Sequence, residues 1–120
     1  MNPLPEEYEL ISLFESEPQL MDEDIPWFYN TLTFKLQRES DILSCTISPA
    51  YQSFSIDLTI NERKIYSLGF KDVKGLTIEK DKDVERLIVE MNDESAFVTL
   101  IIQTNPQIRI ATTHDNSFRK

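Results

Sequence analysis

LTFKLQRESDILSCTISPAYQSFSIDLTI, residues 32–60, decides the fold. Leu32, Phe34 and Leu36 alternate with Thr33 and Lys35. Leu43, Cys45 and Ile47 alternate with Ser44 and Thr46, and Phe54, Ile56, Leu58 and Ile60 alternate with Ser55, Asp57 and Thr59. Successive side chains of an extended chain point to opposite faces, so a period of two gives strands with one apolar and one polar face. A polar break, Arg38-Glu39-Ser40-Asp41, separates the first two runs. The segment therefore predicts neighbouring strands joined by tight turns.

The same period continues toward the C-terminus. Tyr66, Leu68 and Phe70 form one set, Leu76 and Ile78 the next, then Leu87, Val89 and Met91, the stretch 97–102, and finally Ile108 and Ile110. Polar breaks at 61–63, 71–74, 81–83, 92–94 and 105–106 recur about every ten residues, the pattern of hairpin-connected strands. Eight strands result. No helix-length segment separates them, which disfavours a parallel sheet. The expected fold is α+β and mostly β: an antiparallel meander over residues 29–113, sandwich or barrel-like. In 97–102 Phe97, Val98, Leu100, Ile101 and Ile102 are apolar on both faces, so that strand is expected to be central or covered by a helix.

That helix is read at the N-terminus. Pro5 followed by Glu6 and Glu7 suits a helix start, because proline fits the first position and carboxylates favour the positive end of the dipole. Tyr8, Ile11 and Phe14, with Leu10 and Leu13 beside them, form a stripe at helical spacing, and Pro18 ends it. The helix spans about residues 5 to 16 and, being short, must dock on another element. It is expected to plug the open side of a curved eight-stranded sheet. Residues 17–28 form an acidic connector and 114–120 a loosely held tail.

The chain of 120 residues has a formal net charge of −9, and that charge is unevenly placed. Of its 21 carboxylates, eight lie in residues 1–24, which hold no Lys or Arg; the rest of the chain sets 13 against all 12 basic side chains. An acidic field repels nucleic acid and anionic membranes and attracts basic proteins. The bland alternative is solubility and helix capping. Trp27-Phe28-Tyr29 stands directly beside Asp22-Glu23-Asp24. Trp27 either packs beneath the helix or anchors a partner, since Trp and Tyr dominate interface hot spots. The expected partner-binding residues are Glu15, Glu17, Asp22, Glu23, Asp24, Trp27 and Tyr29.

Little else points to chemistry. The two glycines, Gly69 and Gly75, form no phosphate-cradling loop. His114, the only histidine, falls in the tail, a poor setting for an acid or base that must be held rigidly. Cys45, the only cysteine, shares the inward parity of Leu43 and Ile47 and should be buried and inert. Asp57 shares the outward parity of Ser55 and Thr59, as a solvated face requires. Asp22-Glu23-Asp24 lacks the glycine and terminal glutamate of a calcium loop. Lys71, Lys74, Lys80 and Lys82 alternate with acids and form a neutral, salt-bridged edge. No catalytic residue, cofactor or metal is expected. The start, Met1 to Pro5, lacks the features of a secretory signal, so a reducing cytoplasm is the expected compartment.

The stretches WFYN at 27–30, LTFKL at 32–36, D-x-L-x-C-x-I-S at Asp41–Ser48, YSLGFKDVKGLTIEKDKDVERLIVEM at 66–91 and IRIAT at 108–112 give the chain its character. Over residues 5 to 113 it resembles the small immunity proteins of bacterial polymorphic-toxin and contact-dependent growth inhibition systems. The resemblance implies a cytosolic inhibitor, without catalytic residues, that binds a toxin domain and blocks its active site. The acidic charge suits a basic toxin such as a nuclease. The competing expectation is a lipocalin-like barrel holding a small hydrophobic ligand. A core filled by Phe34, Phe54, Phe70, Met91 and Phe97 would favour the inhibitor, and an open cavity the barrel.

Overall fold

Alternation of apolar and polar side chains from Leu32 onward becomes a run of antiparallel hairpins. The structure is a computed structural model that describes residues 1–92 and 99–113. His114, the tail 114–120, Phe97, Val98 and part of the 92–94 break lie outside the described residues. Among the described residues, helix α1 (Glu7–Phe14) precedes nine strands. The first five are β1 (Gln19–Leu20), β2 (Leu32–Arg38), β3 (Asp41–Ser48), β4 (Ser53–Ile60) and β5 (Arg63–Phe70), paired in chain order as one sheet. The second sheet holds β6 (Val73–Asp81), β7 (Val84–Met91), β8 (Thr99–Asn105) and β9 (Arg109–Thr113), also in chain order. The protein is α+β and mostly β, and every pairing is antiparallel.

The eight strands read from the sequence are β2 to β9. The additional strand, β1, lies in the expected connector. Its two residues are too few to show a period, and it forms by pairing Gln19 with Thr33 and Leu20 with Leu32 at the free edge of β2. The single curved sheet is replaced by two. Lys71 and Asp72 join β5 to β6, but the two strands do not pair. Instead the Val73 amide donates to the Gln52 carbonyl (2.9 Å), carrying the chain onto the other sheet. Asp72 adopts a left-handed φ of 59° at that corner.

One core joins the sheets. Leu32, Phe34, Leu43, Cys45, Ile47, Phe54 and Ile56 come from the first sheet, and Leu76, Leu87, Val89, Leu100 and Ile102 from the second, all essentially without solvent exposure. The alternating positions from Leu32 to Ile56 thus turn inward as read, Leu58 and Ile60 are only partly buried, and the Asp57 side of β4 faces out. β8 lies between β7 and β9, and its Leu100 and Ile102 are buried while Ile101 is only partly so.

Helix α1 covers the core at β2. Leu10, Leu13 and Phe14 are buried, and Phe14 stacks on Phe34 with ring centroids 5.0 Å apart. Such a pair adds about 1 kcal/mol beyond area burial. The buried stripe follows the i, i+3, i+4 spacing of 10, 13 and 14, which leaves Tyr8 71% exposed. Pro5 precedes the cap rather than opening the helix. Glu6 is the N-cap, and its amide donates to Glu9 Oε1 (2.9 Å). The helix also stops before Pro18, because Glu15 turns left-handed (φ 59°). Pro26 leads into a 3₁₀ turn at Trp27–Tyr29, so Tyr29 closes this turn and the strands begin at Leu32.

Two contacts of long sequence span close the fold. Arg38 donates through Nε to the Thr104 carbonyl (3.0 Å) and through both terminal nitrogens to the Glu15 carboxylate (3.1 and 2.7 Å). It thereby ties α1, the first sheet and the second sheet at one end. At the free edge of β6, the Asn2 amide donates to the Lys74 carbonyl (2.9 Å) and the Leu76 amide to the Pro3 carbonyl (2.8 Å). Gly75 lies beneath this strap; a Cβ there would stand 2.7 Å from Pro3, closer than carbon atoms tolerate.

Candidate partner-binding site

Residues 21–30 form a turn built around one buried amide. Asn30 is only 4% exposed. Its Nδ2 donates to the carbonyls of Asp22 (2.5 Å) and Ile25 (2.9 Å), and its Oδ1 accepts from the amides of Asp22 (3.2 Å) and Thr31 (2.9 Å). A side-chain amide has two donors and an acceptor oxygen with two lone pairs, so Asn30 is saturated. The Asp22 carboxylate accepts from the Asp24 amide (3.0 Å), closing a local turn. The Met21 amide donates to Thr31 (3.0 Å) and fixes the turn to the start of β2.

This scaffold presents Glu23 and Asp24 to solvent, with aromatics beside them. Trp27 is half-buried and packs against the core. Phe28 meets Trp27 and Tyr29 edge-on, at centroid distances of 6.3 and 5.2 Å. Tyr29 is 65% exposed, and Tyr51, on the neighbouring 3₁₀ turn Pro49–Tyr51, is 77% exposed. Met21 and Ile25 are exposed as well. Exposed apolar side chains grouped beside carboxylates give a surface that can bury aromatic area and pair with cations.

The structure brings together Asp22, Glu23, Asp24, Trp27 and Tyr29. Glu15 belongs elsewhere: its carboxylate is held by Arg38 at the far end of β2, about 20 Å along the strand. The Arg38 hydrogen bond and charge hold the Glu15 carboxyl below its ordinary value, against a smaller opposing effect of burial. Glu17 is exposed between the helix and β1. Sequence reasoning names Phe28 only as part of the aromatic trio and does not single out Asn30, Met21, Ile25 or Tyr51 for this surface. Asn30 looks like any turn residue, and Tyr51 joins the group only through the contact of two turns distant in sequence.

Of the remaining candidates, Cys45 and Asp57 lie on opposite faces of the first sheet, and His114 lies outside the described residues. Cys45 has no exposure, and burial, with a contribution from the Asp57 charge, pushes its thiol well up. Asp57 accepts from Ser67 Oγ (2.6 Å) and lies 3.9 Å from the Lys64 ammonium on the outer face. Among the described residues, no three His, Cys, Asp or Glu side chains are grouped to hold a metal, and no helix is long and apolar enough to cross a membrane. Phe34 and Phe54 fill the core, Met91 is buried and Phe70 half-buried, while Phe97 lies outside the described residues. Around the lysine-rich hairpin, Lys80 faces Glu85 and Arg86 faces Glu79 at 3.9 and 3.3 Å.

No family model and no curated protein matches the sequence. A solved structure matches in architecture: a chain of the "Contact-dependent growth inhibition toxin - immunity protein complex from Klebsiella pneumoniae 342". The two are 20% identical and superpose with a TM-score of 0.78, over 92% of this chain and 94% of that one. At that identity the likeness establishes that the two chains share a fold.

Proposed function

We propose that this protein is an immunity protein that binds a cognate toxin domain in the cytoplasm and neutralises it by covering its active site. The observation that carries this reading is the fold shared along nearly the whole chain with a member of a toxin–immunity complex. The site chemistry favours the inhibitor over the toxin. The thiol is sealed in the core, and the strand aspartate is engaged on an open face. The acidic turn and its aromatics form a binding surface without a reacting group.

The partner that fits is basic. A nuclease must gather phosphate in a cationic cleft, and a surface of carboxylates around aromatic anchors is its electrostatic complement. The protein turns over no substrate of its own in this role and needs no cofactor. The filled core supports this reading over a hydrophobic-ligand barrel. The test is co-expression in a bacterial host with the C-terminal domain encoded by the gene immediately upstream. Growth is expected to be restored, and the two proteins to co-purify. Unrelieved toxicity together with no complex would overturn the proposal.

A further inference from the structure

The outer face of the first sheet carries a feature that the fold does not require. The pairings align Gln19, Thr33, Thr46, Ser55 and Gly69 in one row across β1 to β5. Four inter-strand spacings make the row about 19 Å long. An open groove of about 290 Å³ lies over its Gln19–Thr33 end and another of about 320 Å³ over Thr46, Ser55 and Gly69. The row carries no charge. Its hydroxyls are already partly paired: Thr33 and Thr46 share a hydrogen bond of 3.1 Å, and in the next row Thr31 and Ser48 share one of 2.8 Å. Covering hydroxyls that already have partners costs less than covering free ones.

Gly69 is the informative residue. Glycine within a strand loses more entropy on folding than any other residue and packs nothing, so it usually marks a bulge, a bend or a close approach by another molecule. Gly69 has no left-handed φ, and a Cβ built on it meets nothing nearer than Ser55 Cβ at 3.8 Å. The Ser55–Gly69 pairing is regular; the register shift in β5 lies elsewhere, between the partners of Leu58 and Thr59. Gly75, by contrast, is required by the strap above it. Acidic charge is collected at the opposite end of the row, where Met21 lines the groove and Asp22-Glu23-Asp24 follow, while Lys71 lines the groove at the Gly69 end. A middle without charge, with charged groups confined to its two ends, matches the depletion of charge from the centre of protein interfaces.

We propose that the toxin domain docks on this face, with a protruding segment lying along the row over Gly69 and basic side chains meeting the acidic turn. The inference rests on the immunity reading and names its surface. Gly69→Val and Gly69→Ala are compared with wild type for binding to the C-terminal domain encoded upstream, by calorimetry, and for stability, by urea unfolding. Thr46→Arg probes the same row, and Lys80→Ala on the second sheet serves as the control. Gly69→Val is expected to be at least as stable as wild type and to bind at least tenfold more weakly. Gly69→Ala should fall between, Thr46→Arg should also weaken binding, and Lys80→Ala should match wild type. Wild-type affinity in a folded Gly69→Val and Thr46→Arg would overturn the docking face and leave the immunity reading intact. A loss of stability in Gly69→Val would equally overturn it, because the glycine would then have an intramolecular cause. Absence of binding by the wild type would overturn both.

Discussion

Replacing Asn30 by Asp changes one nitrogen to one oxygen and should nevertheless undo the acidic turn. The acceptor oxygen can keep its bonds from the amides of Asp22 and Thr31. The other position now turns a carboxylate oxygen toward the carbonyls of Asp22 and Ile25, to which Nδ2 had donated at 2.5 and 2.9 Å. Two lost hydrogen bonds amount to about 2 kcal/mol. Burying the charge adds a penalty with a natural ceiling. The carboxyl can protonate instead, and holding an ordinary aspartate neutral at pH 7 costs about 4 kcal/mol. The deficit at neutral pH is expected to fall between about 2 and 5 kcal/mol, a fall in Tm of roughly 8–20 °C for a chain of this length. The sign of the pH dependence follows from linkage. The folded-state pKa of the introduced carboxyl is raised, so the deficit is smallest below the unfolded value of about 3.9, where the protonated acid replaces one of the two lost hydrogen bonds and about 1 kcal/mol remains, and it grows as pH rises above it. Urea unfolding of Asn30→Asp and Asn30→Ala at pH 4 and pH 7 reads this directly. Asn30→Ala should be destabilised by a similar amount at both pH values. A deficit in Asn30→Asp under about 0.5 kcal/mol at pH 7, the size of an ordinary surface change, would refute the role given to this amide.

Four further outcomes are expected. Arg38→Ala should cost about 2 kcal/mol in urea unfolding, because it releases the Thr104 carbonyl as well as Glu15. Glu15→Gln, at a half-exposed position, should cost only a few tenths of that; its lowered pKa makes the loss visible above about pH 4.5 and absent at lower pH. Cys45 should resist a bulky maleimide in the native protein and react only as fast as the chain opens globally, so rapid stoichiometric labelling would contradict its burial. Changing Asp22, Glu23 and Asp24 to Asn, Gln and Asn should slow association with the upstream-encoded domain and flatten its salt dependence, measured by stopped-flow mixing; an unchanged salt slope would leave the acidic turn a solubility feature.

The strands were legible because one face of each is buried and the other wet, which writes a period of two into residues 32–60 and repeats it through Ile110. The break between the sheets was not legible. Lys71-Asp72 looks like any hairpin turn, and only the bond from Val73 to Gln52 shows the chain leaving its neighbour. The helix is legible in the sequence, though shorter than residues 5 to 16, and of its apolar stripe only Tyr8 falls outside the docked face. Residues 8, 11 and 14 and residues 10, 13 and 14 both satisfy helical spacing, and docking against Phe34 fully buries only the second set. The acidic run and its aromatics were visible as a local string, but Glu15 was grouped with them by sequence proximity although Arg38, a partner 23 residues away, draws it to the opposite end of β2. Asn30 and Tyr51 carry no mark in the sequence, because burial of a polar turn residue and the meeting of two turns are properties of the assembled chain.

The strap over Gly75 sets an order of events during synthesis. Each strand from β3 to β5 and from β7 to β9 pairs with the one made just before it, so both sheets can grow as the chain emerges. Asn2 and Pro3 cannot take their places until Lys74 and Leu76 exist. At about 5–20 residues per second that is a wait of several seconds. Asn2 and Pro3 thus settle only after the whole first sheet has been made, and until they do the edge of β6 is open to any other strand in the cell.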